Sequence, residues 1–339
     1  MEQTKRTAYL DAIRVLAGLF VVYNHVAGQS MRLFSGVGGA VALCFLYISK
    51  AAIPLFLMVT GALLLQREEP YAKTLRRIGR IVLVLALVTL LYYGADCLEN
   101  RAPFVLADYL ERLYYYEASN SLWYLYAYLG LLVMLPILQR MAAALGAREY
   151  LYAACWTLLF TGALPILEFA SPLFTPDSSF TLPVFSGMVG LPLLGRAMSG
   201  ETRPSRVHIG AAVLLPLGAV AAATALTMRS NAWFSIFDNA FLLPAMLTAA
   251  GIFYLARRYE LRRGVSERAR QAVTHVGKLV FGAYLLADLA IARLQCLREA
   301  LEPLLTVNGA GVAYTVLVYA VCLLAAEGLT RIPGLRRLL

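Results

Sequence analysis

The chain has 339 residues, 60% of them hydrophobic and 15% charged, and its mean hydropathy of +0.68 lies outside the range of a soluble domain of this length. Apolar runs of about twenty residues recur from end to end without the polar/apolar alternation of barrel strands. These features exclude a soluble enzyme and an outer-membrane barrel, and they leave an all-α, polytopic membrane helical bundle of a single domain over 1–339.

The apolar runs and their charged or Gly/Pro breaks predict about ten transmembrane helices. In chain order they fall near 8–28, 40–65, 76–97, 121–143, 149–169, 180–198, 207–227, 233–255, 274–295 and 308–330. The second stretch exceeds one straight span, and "SKAAIP", with Lys50 and Pro54, predicts a break or a re-entrant piece before the helix proper. Lys5 and Arg6 before "VLAGLFVVY" resemble a signal peptide, but Asp11 and Arg14 interrupt the apolar stretch and no small-x-small cleavage site follows cleanly. The first run is therefore expected to stay as a span.

Loops on alternate sides differ sharply in basic residues: 22 of the Lys and Arg lie on one side and 6 on the other. The positive-inside rule makes the basic side cytoplasmic, with both termini inside. This asymmetry, together with anionic lipid at the inner surface, accounts for the net charge of +10 without nucleic acid. The five cysteines stand singly, with no ligand spacing for a metal. Cys97 and Cys296 fall near outer helix ends, where they are either a disulfide or, more commonly, two separate thiols.

The first helix holds the unusual chemistry. In "DAIRVLAGLFVVYNHV", residues 11–26, the helical period places Asp11, Arg14 and His25 on one face. At 1.5 Å per residue Arg14 and His25 stand about 16 Å apart along the axis, so Asp11 pairs with Arg14 while His25 lies well across the bilayer. Each such group costs roughly 3 kcal/mol or more to insert, which favours a cavity or pathway. Snorkelling of Arg14 with Asp11, and solvation of His25 at an outer interface, are the plainer alternatives. Lys73, Arg76, Arg77 and Arg80, at i, i+3, i+4 and i+7, place four cations on one face at the cytoplasmic start of the third helix, as anchors or as an anion site. His208 and His275 sit beside arginine-rich turns and read as interfacial residues. Outer aromatics from Tyr109 to Tyr128 form either an interfacial belt or a sugar-stacking surface.

Asp-x-x-Arg, then ten residues, then His in a first span resembles the membrane acyltransferase 3 family. The likeness continues in "IPLFLMVTGALLL" at 53–65, with Pro54, Phe56, Thr60 and Gly61, and in "KTLRRIGRI". It extends to "LWYLYAYLGLLVMLPIL" at 122–138 and "GKLVFGAYLL" at 277–286. The resemblance implies an inner-membrane (plasma-membrane) O-acyltransferase. Such an enzyme moves an acyl group, commonly acetyl, from cytoplasmic acyl-CoA (acetyl-CoA) as co-substrate to a hydroxyl of a cell-surface or lipid-linked glycan, with no metal. On that reading Arg14, Lys73, Arg76, Arg77 and Arg80 hold the donor, Asp11 orients Arg14, His25 is the general base, and Thr60 with Gly61 either supplies a hydroxyl or a close backbone approach near His25 or serves helix packing through a small residue. Trp123 and Tyr284 belong to the acceptor side. Many members have His where this chain has Ser121 and Ala287, which leaves Asn120, Asp288 or nothing to replace them. The competing reading is a transporter or flippase of a glycan or small acid, whose route the charged stripe would line. A sensor domain without turnover is the third, and it is disfavoured because no fused soluble enzyme is present.

Overall fold

A computed structural model describes residues 7–30, 36–115, 118–170, 186–200, 206–230 and 239–338. Among these the chain is all-α, and eight helical stretches are long and apolar enough to cross a membrane. Expectation and structure agree closely for α1 (Ala8–Ser30), α6 (Trp123–Ala144), α10 (Arg206–Ser230) and α14 (Val307–Thr330). The long second stretch divides into α2 (Gly36–Ser49) and α3 (Ala52–Leu64). The break falls at Lys50 and Ala51, where Ala51 N–H tightens to the Ile48 carbonyl at 3.1 Å. Pro54 then sits in the first turn of α3, where a missing N–H costs nothing.

Several boundaries differ from the sequence-based expectation. α4 (Tyr71–Glu99) begins five residues early, because Lys73, Arg76 and Arg77 extend the helix beyond its apolar part. α7 (Ala147–Thr157) continues through a π-turn at Leu158–Ala163 into α8 (Leu164–Ala170), and Gly162 in that turn lies against the backbone of Leu243. α9 (Gly187–Ser199) is the described part of the sixth expected span, and its expected start lies outside the described residues. α11 (Leu243–Arg263) runs eight residues past its expected end, since "RRYELRR" is helical although too polar to span; its expected start also lies outside the described residues. α12 (Glu267–Arg293) starts about two turns early. The short α5 (Leu106–Tyr115) and α13 (Gln295–Leu301) were not expected, for each is too short to register as a span. All five cysteines are free thiols, so Cys97 and Cys296 are not bridged.

Close helix pairs are set by small residues, as expected where lipid removes the hydrophobic drive between helices. α3 and α9 cross antiparallel with Gly61 against the Pro192 carbonyl and Gly195 against the Met58 carbonyl; a Cβ at either glycine would lie 1.8 Å and 2.0 Å from those oxygens. Gly18 of α1 accommodates the Tyr319 hydroxyl of α14, which donates to the Val15 carbonyl at 3.0 Å. On the opposite flank Tyr47 of α2 and Thr227 of α10 share a hydroxyl hydrogen bond of 2.6 Å. α1 is thereby enclosed by α3, α12 and α14, and its polar face is held against α12.

Gly61→Ala is expected to destabilise the detergent-solubilised protein by about 3 kcal/mol, because the methyl group meets backbone rather than a movable side chain. Gly94→Ala on α4, where a Cβ would meet nothing within 4 Å, should be neutral or slightly stabilising. Thermal unfolding of the two variants separates these outcomes.

Candidate functional site

α1 and α12 run parallel, and polar contacts tie them at two levels. At the Lys/Arg-rich end, Asp11 is buried, with 1% of its surface exposed. Its carboxylate accepts from Arg14 Nη1 and from Thr274 Oγ1, each at 3.1 Å. Gly277 makes room for it, since a Cβ there would lie 2.9 Å from that of Asp11. Near the other end, His25 Nδ1 lies 3.3 Å from Asp288 Oδ1. Both contacts join residues 263 apart, so the two helices keep one register over the intervening turns.

Between α1, α3, α4, α6 and α12 lies a cavity of about 310 Å³. Arg14, Arg80 and Lys278 supply its cations, and Phe56, Tyr124, Tyr128, Phe281 and Tyr284 the aromatic part of its wall. Arg80 and Lys278 are exposed, and the Arg80 guanidinium sits 6.0 Å from the centre of the Phe281 ring. Tyr124 stacks on Tyr128 and meets Tyr284 edge-on, with ring centres 6.1 Å and 6.2 Å apart. Val21, one turn before His25, is part of the lining, whereas His25 is not. The Tyr284 hydroxyl donates to the Ser121 carbonyl at 2.6 Å, which anchors this wall to the turn that begins α6.

That turn also serves Asp288. Its Oδ2 accepts from Ser119 Oγ and from the Ser121 backbone N–H at 3.2 Å, and the two serine hydroxyls lie 3.0 Å apart. Ser119 caps the 3-10 turn Asn120–Leu122 by accepting from the Ser121 N–H. Tyr92 of α4 secures the same part of α12, donating to the Leu285 carbonyl at 3.1 Å and accepting from the Leu289 N–H at 3.2 Å.

The residues singled out in the sequence are distributed unevenly over this geometry. Arg14, Arg80, Thr60 and Tyr284 line the cavity together, and the Thr60 hydroxyl donates to the Phe56 carbonyl at 2.8 Å. Thr60 shares the cavity with Arg14, not with His25. Gly61 packs against α9. The expected row of four cations divides: Lys73 Nζ donates to Glu69 at 2.6 Å, Arg77 bonds both oxygens of the same carboxylate, Arg76 is exposed, and only Arg80 reaches the cavity. The cause is Glu69 in the preceding loop, held by its own N–H donating to the Gln139 side chain at 3.1 Å. Trp123 is partly exposed and meets Tyr124 edge-on, outside the cavity lining. The Asn120 side chain lies outside the described residues.

Sequence reasoning missed Lys278 as a third cation and Asp288 as the partner of His25. Lys278 stood within the quoted "GKLVFGAYLL". Asp288 was visible as an acid inside an apolar run, the same anomaly that drew attention to His25.

The family model described as an acyltransferase domain matches residues 7–327. No curated protein and no solved structure matches the chain.

Glu69 provides a pH prediction. Burial pulls its carboxyl upward, but hydrogen bonds from Arg77 and Lys73 outweigh burial and hold it below its ordinary 4.5. A depressed folded value adds stability that is complete above the unfolded value and is lost as the pH falls through the folded one. The difference in melting temperature between wild type and Glu69→Gln should therefore be constant near neutrality and shrink below about pH 4.5. Melting curves across that range check it.

Proposed function

The chain belongs to the membrane acyltransferase family whose domain covers residues 7–327, and from that premise we propose that it transfers an acyl group, most simply acetyl, from acyl-CoA to a hydroxyl of a cell-surface or lipid-linked glycan. The basic end faces the cytoplasm of a cell that keeps the protein in its inner or plasma membrane, with both termini inside. The observation that carries the reading is the pairing of a cation-lined, aromatic-walled cavity at the basic end with a histidine–carboxylate pair further along the same two helices.

The donor is a polyanion joined to its thioester by a long, slender arm. Arg14, Arg80 and Lys278 supply charge-assisted donors for its phosphates, and the aromatic wall suits the uncharged arm. Asp11 fixes Arg14 at the mouth. Lys73 and Arg77, both engaged by the one carboxylate of Glu69, shape the approach more than they bind, and Arg76 adds to the positive field.

In the transfer step the acceptor oxygen bonds to the thioester carbonyl carbon as its proton passes to His25 Nε2. The carbon–sulfur bond breaks, and the departing CoA thiolate takes up one proton, restoring neutral imidazole. Thr60 stays a cavity-wall residue. Trp123, Tyr284 and Asn120 belong to the acceptor side, with Tyr284 also joining that side to the donor cavity through Ser121.

Calorimetry of the detergent-purified protein with CoA and acetyl-CoA tests the donor half. Arg14→Ala, Arg80→Ala and Lys278→Ala should each weaken binding about 10- to 100-fold, the loss of one charge-assisted contact. His25→Ala should bind like wild type while losing turnover. Absence of binding by well-folded wild type to acetyl-CoA and to longer acyl-CoAs would overturn the assignment and favour transport of a glycan or small acid.

A further inference from the structure

We infer that Asp288 is the positioning residue that sets the tautomer of His25, and that the Ser119–Ser121 turn makes an acid obligatory at this place. The inference rests on the proposed role of His25 as general base and extends it to a residue 263 positions away.

Neutral imidazole carries one proton on either ring nitrogen, and only the unprotonated nitrogen can accept another. Oδ1 of Asp288 stands 3.3 Å from Nδ1 of His25, within reach of a contact that tightens when substrate is bound. A carboxylate only accepts, so this neighbour favours a proton on Nδ1 and leaves the Nε2 lone pair free to take the acceptor's proton. It also stabilises the imidazolium formed during transfer.

The other oxygen is committed. Oδ2 faces two donors, the Ser119 hydroxyl and the Ser121 N–H, and the latter cannot reverse its direction. Ser119 is buried, and its place as the cap of the turn before α6 fixes it there. Tyr92 holds the adjoining turn of α12 through two backbone contacts. Asp288 is thus an acceptor on both edges, held by one helix end and turned toward the histidine of another.

An unusual order of substitutions follows. In Asp288→Asn the amide oxygen must occupy the Oδ2 place to satisfy the Ser121 N–H, and the amide nitrogen then points at His25 Nδ1. Nδ1 becomes the acceptor, the proton moves to Nε2, and the base loses its lone pair. Asp288→Ala removes the bias without imposing the wrong form. The isosteric amide should therefore be worse than the truncation, which a merely space-filling or structural role does not produce.

The test uses the full chain in detergent with ¹⁵N-labelled histidine. The protein has 3 histidines, so the His25 signals are identified by their loss in His25→Gln. Spectra are taken over a series of alkaline pH values, and the tautomer is read from the neutral ring. Wild type should show the proton on Nδ1 and Asp288→Asn the proton on Nε2. In parallel, release of free CoA thiol from acetyl-CoA, with water as the acceptor, should fall in Asp288→Ala. It should fall further in Asp288→Asn, to about 100-fold or more below wild type, with KM for acetyl-CoA within about twofold; loss of correct imidazole orientation in catalytic triads has effects of this order or larger. Asp288→Glu should recover part of the Asn loss.

A proton on Nδ1 in Asp288→Asn, or turnover of Asn equal to or above that of Ala, would overturn the inference. Undiminished turnover in His25→Ala would instead refute the base assignment, a distinct failure because the tautomer measurement does not depend on turnover.

Discussion

Ionisable groups inside an apolar bundle must find partners on neighbouring helices, and here that constraint fixes α1 against α12. Asp11 is almost fully buried, and its carboxylate is stabilised by Arg14 and Thr274 as donors, with Gly277 leaving space. Further along, His25 and Asp288 meet under the same register. A rotation of either helix would separate both pairs at once. Gly18, which admits the Tyr319 hydroxyl of α14, keeps α1 from such a rotation on its other side.

From this axis the rest of the site can be assembled. The helices around α1 leave a cavity that begins at Arg14, Arg80 and Lys278 and reaches Val21 and Tyr284, short of His25. Tyr284 joins the two regions. Its ring is cavity wall, and its hydroxyl holds the carbonyl of Ser121, the residue whose N–H holds Asp288. In the acyltransferase reading, the donor's phosphates remain near the cations while its slender arm leads the acyl group toward the histidine. Acceptor chemistry then takes place at the end remote from the basic loops.

Much of this was legible in the amino-acid sequence. Apolar run length gave the spans, and an i, i+3 spacing gave the Asp11–Arg14 pair, because local periodicity decides both. Contacts between distant segments were less accessible. Asp288 was named only as a stand-in for a family histidine, and nothing local could show which of ten spans lay beside it. The four cations of α4 look equivalent on a helical face; only the tertiary placement of Glu69, steadied by Gln139, withdraws Lys73 and Arg77 and leaves Arg80 to the cavity. Thr60 is adjacent to a packing glycine and shares a cavity with Arg14, so its sequence motif alone could not separate packing from chemistry.

The central claim is sided: donor at the basic end, acceptor beyond the membrane midplane. It is tested most directly with sealed vesicles of opposite orientation from cells expressing the protein, supplied with acetyl-CoA carrying a labelled acetyl group. The account predicts label in the glycan-containing fraction only when the basic face is exposed to acetyl-CoA, and, at subsaturating acetyl-CoA, about 10- to 100-fold less of it with Arg14→Ala. Equal labelling from both faces, or labelling only from the opposite face, would contradict it.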